Sequence, residues 1–561
     1  METTNEGLAM SSPGARPFEW LLVLGAWLLA LLIFNRLPIM SGFDLGFGDR
    51  GDSIIAISIL EHWRNVFMGV GQWNLPLYFH PHPDTLGYND GYLLHGLIYS
   101  AWRLGFDPFR ADTLTGATLE TIGFAGAFVL ASRTLRWGVA TATLLALLFS
   151  ISNNMYVGAG HIQIRSLALL PWLAIAAIGA WRSEMAGDVW RARRRAIAAV
   201  AIIGLWLVTS FYFVWFALYF SLVLLLCWAG VTRRMNLRGL AVLNGHWGTI
   251  AVTAAAFALA ILPFLAVYVP KLAETGGYGY KLSYLIHPTD LINVGPGNLL
   301  WGWLIAGLRF LFGNGQLAEA VFGNEHQSGF PLFLFALACT AAWPLVRRRG
   351  DASFLRAFAL AIVISWAFTL RFGPVSLWGL VYWLVPGARG LRVVLRYQLF
   401  LLLPLLLLVA AVHRTRLAAL LGNHRALALG IVALLVIEQI NFAPTARMSR
   451  REQLAALEPI PTPPPGCKSF VVTATRVGEP MFRDARLDAL YPHNVDAMYL
   501  AQRWRVPTVN GMSSFNPPDW DFADPEAPDY PARITAYAGK HGLAGLCRLD
   551  VRATPVWTRL R

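Results

Sequence analysis

Apolar windows of about 17 to 22 residues recur along the first 440 positions of this chain, and each is long enough to cross a hydrocarbon core of roughly 30 Å as a helix. In lipid every backbone N–H and C=O must be satisfied within the segment, so such a series fixes the class as a helical, multi-span membrane protein. The chain is 56% hydrophobic and only 14% charged over 561 residues, with 22 Trp and 33 Phe, which is far from the usage of a soluble domain. The net charge of +14 does not point to nucleic acid, because the Arg residues cluster in short loops between the apolar runs. That clustering marks a cytoplasmic membrane face, and the basic balance is read as topology.

With those loops inside, eleven spans fall near 18–37, 112–132, 137–154, 166–181, 196–210, 213–231, 247–268, 329–346, 353–370, 395–412 and 426–441. The first run, "FEWLLVLGAWLLALLIF", lacks a convincing small-residue cleavage site and is read as an anchored span. An odd number of spans puts the N-terminus in the cytoplasm and the tail outside. The expected organisation is therefore a membrane module over 1–442, with long outer loops at about 38–111, 269–328 and 371–394, followed by a small α+β domain over 443–561. In that tail "SFVVTAT" (469–475) reads as a strand after a Pro-rich linker. Cys227 and Cys339 lie in apolar runs, whereas Cys467 and Cys547 lie in the tail, where pairing or two free thiols both remain open.

Nearly all of the loop length, His, Asp and aromatic content thus faces one side. Residues 52 to 67 place Ile55, Ile59, Trp63 and Phe67 at helical spacing, with Glu61, His62 and Arg64 between them, which predicts an interfacial helix opened by Asp52. Asp52 is either only a helix cap or a reactive acid. A second acid at Asp49 and glycines at 48 and 51, which allow close backbone approach, favour the reactive reading. If these carboxylates hold a metal, a hard divalent cation such as Mg or Mn suits them, and this ranks below a metal-free role. His80, His82 and Asp84 have ligand-like spacing, but "HPHP" is read first as a rigid extended turn.

The order of elements after the first span resembles the GT-C superfamily of polytopic glycosyltransferases, which use polyprenyl-phosphate sugars. The matching residues are the "GDRGD" acids, "WNLP" (73–76) and "YFHPHPDTLGYNDGYLLHGLIYS" (78–100). The layout is similar to that of the lipid A aminoarabinose transferases and protein mannosyltransferases. The resemblance covers the spans and first loop well and the tail loosely. It implies an inverting glycosyltransferase with Asp52 as general base and Asp49 as the second choice. His161 and Gln163 in "GAGHIQIRS", Glu325, His80, His82, Tyr88 and Asp90 are expected on the substrates. A leaving polyprenyl phosphate needs cations near the membrane surface. Arg392 and Arg396, four apart on one helix face, are the first candidates, with Arg389 and Lys281 beside them. The loop "VPTVNGMSSFNPPDW" (506–520) has the composition of a saccharide contact.

The acceptor, whether glycan, lipid or protein, is not specified, and neither is the sugar. A transporter or flippase of a lipid-linked glycan, or an inactive assembly partner, are the rival readings. A transporter is expected to show broken helices and ionisable residues within its spans. High Arg and low Lys usage suggests a GC-rich genome, hence a bacterial inner membrane with a periplasmic outer face.

Overall fold

The computed structural model describes residues 17–232, 245–312, 324–348, 353–478 and 484–560. The Arg-rich stretch at 233–238, between the predicted spans 213–231 and 247–268 and so expected on the cytoplasmic face, lies outside them. All eleven predicted spans are helical, from Pro17–Phe34 through Pro108–Val129 to Arg425–Ile437. Among the described residues, five helices are long and apolar enough to cross a membrane by length and composition, and a bent pair makes a sixth. Four further apolar helices are shorter, including Leu332–Arg347 and Phe354–Thr369.

Local chemistry explains several boundaries. Asp107 caps Pro108–Val129, its carboxylate accepting from the backbone N–H groups of Phe109 and Arg110, with Pro108 at the first helical position where its missing N–H does no harm. Ser210 alone separates Val189–Thr209 from Phe211–Val231, matching the tight turn expected there. The seventh span departs from expectation, since Trp247–Ala260 and Leu262–Thr275 meet at 51°. Pro263 sits at the start of the second piece, and a proline there lacks the N–H that would continue the first helix and clashes with its preceding turn.

The first loop contributes the helix Asp52–Phe67, with the bounds that the spacing predicts. Its setting differs from that of an interfacial helix, because residues 53–63 are buried around the whole circumference. It packs between Leu93–Trp102 and the tail helix Ala485–Trp504. The polar residues that marked an exposed face have buried partners instead. Glu61 accepts from Tyr99 Oη at 2.6 Å, His62 Nε2 meets the Trp73 carbonyl at 3.0 Å, and Asn65 Nδ2 donates to the Gln502 carbonyl at 2.9 Å.

The tail is tied to this loop throughout. Leu45–Phe47 pairs antiparallel with Ala446–Ser449. Ser469–Ala474, the predicted strand, runs parallel to Leu546–Asp550, which in turn pairs antiparallel with Trp557–Arg559. Cys467, two residues before the first strand, and Cys547, in the central one, form a disulfide. One apolar core contains both Ile54, Ile57 and Leu60 of the loop and Phe470, Val495 and Leu549 of the tail. Loop and tail are therefore packed as one unit above the bundle, and they cap a cavity at its end.

Candidate active site

The cavity has a volume of about 600 Å³. Its wall on one side is apolar, built by Phe211, Trp215 and Leu218 from Phe211–Val231 and by Ile261, Phe264 and Leu265 at the bend of the helix pair. The other end carries Asp52, Asp90, His161, Gln163, Arg392 and Arg396.

Two glycines bring the polar end together. Gly48 has φ +79°, and a Cβ on it would collide with Ser53 Oγ and press on the Gly160 carbonyl, so the "GDRGD" and "GAGHIQ" turns approach backbone to backbone only because both positions lack side chains. His161 follows Gly160 directly and is delivered to Asp52. From there a chain of charged groups crosses the site. His161 Nδ1 lies 3.6 Å from Asp52 Oδ2, His161 Nε2 lies 3.3 Å from Glu325 Oε1, and Arg396 Nη2 lies 2.9 Å from the same Glu325 oxygen. Burial alone would raise the Glu325 carboxyl, but Arg396 and His161 outweigh it and hold it far below the ordinary carboxylate range. Asp52 itself is half exposed toward the cavity.

Asp90 is the second acid. Burial pushes its carboxyl up to about 6, with Arg396 and His161 offsetting part of that rise. A carboxyl in that range takes and releases protons near neutral pH. Arg392 is held by Nη1 donating to Ser514 Oγ at 3.3 Å, with its guanidinium 5.9 Å from the Tyr278 ring centre. Gln163 Oε1 accepts from Tyr92 Oη at 3.3 Å. Tyr88 Oη donates to Glu274 Oε1 at 2.6 Å and accepts from Lys271 Nζ at 3.1 Å.

Five of the residues singled out from the sequence lie elsewhere. Asp49 is exposed and turned into its own loop, accepting from the Gly51 N–H at 2.9 Å. It does not line the cavity with Asp52. Arg389 is exposed over the Trp383 ring at 4.5 Å, and Lys281 is exposed outside the lining. The lysine that lines the cavity is Lys271, another of only four in the chain, ten residues earlier and buried against Tyr88 and Glu274. His80 and His82 face the tail, not the cavity, with the His80 carbonyl accepting from Tyr537 Oη at 3.1 Å and His82 beside Asp519. Among the described residues, the acids and histidines close enough to share a metal are His82, Asp519 and His541, which do not include Asp49 or Asp52.

Sequence reading also missed Asp112 and Arg165, which line the cavity from within the bundle, and Glu120, which accepts from Asn35 Nδ2 at 2.7 Å. Acids therefore sit within a span as well as in the loops, a feature expected above of a transporter. Their signal was available as charges inside apolar windows. Met512, Ser513, Ser514 and Phe515, within the loop read as a saccharide contact, do line the cavity.

No family model matches the sequence, and no curated protein matches it. Solved structures do. The archaeal oligosaccharyltransferase AglB from Archaeoglobus fulgidus, in complex with an inhibitory peptide and a dolichol-phosphate, superposes with a TM-score of 0.51 at 14% identity, over 95% of this chain and 70% of that one. The arabinofuranosyltransferase AftD from mycobacteria gives 0.47 at 15% identity over 89% of this chain, which spans only 32% of its length. ArnT from Cupriavidus metallidurans, bound to undecaprenyl phosphate, gives 0.38 at 14% identity over 96% and 93% of the two chains. The match to the oligosaccharyltransferase establishes a common fold, the polytopic GT-C fold that the motif order implied.

Proposed function

We propose, for a membrane protein with the GT-C fold, that it is an inverting glycosyltransferase moving a sugar from a polyprenyl-phosphate donor to an acceptor at the periplasmic face of a bacterial inner membrane. The observation that carries this reading is the cavity itself, in which an apolar wall from membrane helices meets three carboxylates, of Asp52, Asp90 and Asp112, and three guanidiniums, of Arg165, Arg392 and Arg396. A polyprenyl-phosphate sugar is amphipathic in the same sense. The dolichol-phosphate and undecaprenyl phosphate held by two of the similar structures support that donor class.

In this scheme Asp52 accepts the proton of the acceptor hydroxyl as its oxygen attacks the anomeric carbon. The bond from that carbon to the donor phosphate breaks, and its electron pair leaves with the phosphate, where Arg392 and Arg396 stabilise the charge. One displacement inverts the anomeric centre. His161 orients Asp52 and links it to Glu325 and Arg396, so base and phosphate site are set as one assembly. Asp90 is the alternative base. A divalent cation at Asp49 and Asp52 is a subsidiary reading, weakened by the turn of Asp49 into its own loop. The disulfide supports a periplasmic tail, because such bonds persist in oxidising compartments, and the shared core carries the cavity to the same side.

The bent helix pair, the half-buried Asp112 and Glu120 within a span and the buried Arg165 favour a second reading, transport of a lipid-linked glycan. Purified protein in vesicles, supplied with a panel of polyprenyl-phosphate sugars, separates the two. The enzyme reading expects free polyprenyl phosphate and glycosylated acceptor. Donor that crosses the bilayer unchanged, with no transfer, supports the transporter.

A further inference from the structure

Residues 77–80 of the first loop run beside 508–510 of the tail, with backbone bonds from Phe79 to Asn510, from His80 to Thr508 and from Thr508 back to Leu77, each near 3.0 Å. Where this contact ends, His82 from the loop meets Asp519 and His541 from the tail. Their ligand atoms all lie within 4.8 Å of one another. His82 Nε2 stands 3.0 Å from Asp519 Oδ1, and His541 Nε2 stands 2.8 Å from Asp519 Oδ2.

The first of these contacts is close but not aligned as a hydrogen bond. His82 Nε2 and Asp519 Oδ1 are both sealed from solvent, and neither has a hydrogen-bond partner among the described residues. An imidazole nitrogen and a carboxylate oxygen buried face to face without a bond are costly unless a third group joins them. Their separation is close to the edge of a tetrahedron, about 3.3 Å, around an ion with ligand bonds of about 2.0 Å.

We propose that His82, Asp519 and His541 bind a transition-metal ion of the zinc class, which fastens the first loop to the tail. Two imidazoles and one carboxylate form a borderline donor set that suits zinc and its neighbours rather than magnesium or calcium. Asp519 accepts from both Lys540 Nζ and His541 Nε2 through its Oδ2, which leaves Oδ1 turned toward His82. The Tyr537 ring packs 4.3 Å from that of His541 and fixes its plane. The competing cation is Lys540, whose Nζ lies 2.6 Å from Asp519 Oδ2 on a side chain that is 62% exposed and free to swing into water when a metal arrives. The site is separate from the cavity, and this inference stands independently of the glycosyltransferase reading.

The test uses the full chain without an affinity tag, stripped with chelator in detergent and titrated with zinc chloride against a chromophoric chelator. The expected result is one zinc per chain with submicromolar affinity. His541→Ala and Asp519→Asn each weaken it by at least about 100-fold, the upper end of what outer partners of a metal site command. Lys540→Ala tightens it, and magnesium chloride does not compete. X-ray absorption on the zinc-loaded wild type, which needs no variant to fold, should show two imidazole ligands at about 2.0–2.1 Å. Less than one zinc per chain, affinity unchanged in both variants, or an absorption spectrum without imidazole overturns the proposal.

Discussion

Replacing Arg396 by Met and Glu325 by Gln, singly and together, probes the charged chain that joins the two halves of the site. Unit charges 2.9 Å apart attract by about 6 kcal/mol at an effective dielectric of about 20. Desolvation offsets much of that, since the Arg396 side chain is only 6% exposed while that of Glu325 keeps 29%. The net value of the pair is therefore small, but breaking it from one side leaves a buried charge with only His161 for company. Arg396→Met should lower stability by about 3 kcal/mol, near the low end for a broken buried pair because Glu325 retains some water. Glu325→Gln strands Arg396 and should cost a similar amount. The double variant should cost less than the sum by about 2 kcal/mol. Unfolding of the four proteins in one detergent, followed by near-ultraviolet circular dichroism at fixed pH, gives the cycle. Costs that add to within about 0.5 kcal/mol would refute the coupling and with it the idea that base and phosphate site are set together.

Removing the disulfide by Cys467→Ser and Cys547→Ser opens a loop of 80 residues, and the chain-entropy model puts the loss at about 4.5 kcal/mol. Thiol labelling of unreduced, denatured wild type should modify Cys227 and Cys339 only. Asp90 has a folded pKa of about 6, raised above its unfolded value, so its ionisation works against folding. That penalty is absent below pH of about 4, grows between about 4 and 6 and is complete above, reaching about 3 kcal/mol. Asp90→Asn should therefore gain stability at pH 7 but not at pH 4, and melting curves that stay parallel to wild type across that range would show the carboxyl is not desolvated. Reporters fused after Arg561 should be active only when they are periplasmic types, and those placed within 183–194 only when cytoplasmic. The reverse pattern would move the cavity to the other side of the membrane.

The helical frame was legible because lipid forbids unsatisfied backbone, so each crossing had to announce itself as a long apolar run. Asp52, His161 and Arg396 were legible because short motifs in the right order mark turns at one end of a bundle. What the sequence could not give is which partner arrives from far along the chain. Glu61 and His62 read as a polar interfacial face because their partners, Tyr99 and the Trp73 carbonyl, come from other parts of the loop. Lys271 was passed over for Lys281, since Tyr88, which encloses it together with Glu274 one turn on, comes from the first loop, more than 180 residues away. His82 looked like part of a rigid turn because its companions, Asp519 and His541, lie more than 400 residues away. The bend at Pro263 was hidden by an apolar run that continues unbroken through it.

The central claim is that Asp52 is the base of a glycosyl transfer, and Asp52→Asn tests it most directly, keeping the size of the side chain while removing its basicity. Purified wild type and the Asn variants of Asp52, Asp49 and Asp90, each in lipid with a polyprenyl-phosphate sugar that the wild type uses, are compared for transfer rate and donor affinity. The account predicts that Asp52→Asn lowers turnover by about 100-fold or more while donor binding survives. Transfer at the wild-type rate by Asp52→Asn would contradict it, and a dead Asp90→Asn in the same series would hand the role of base to the buried acid.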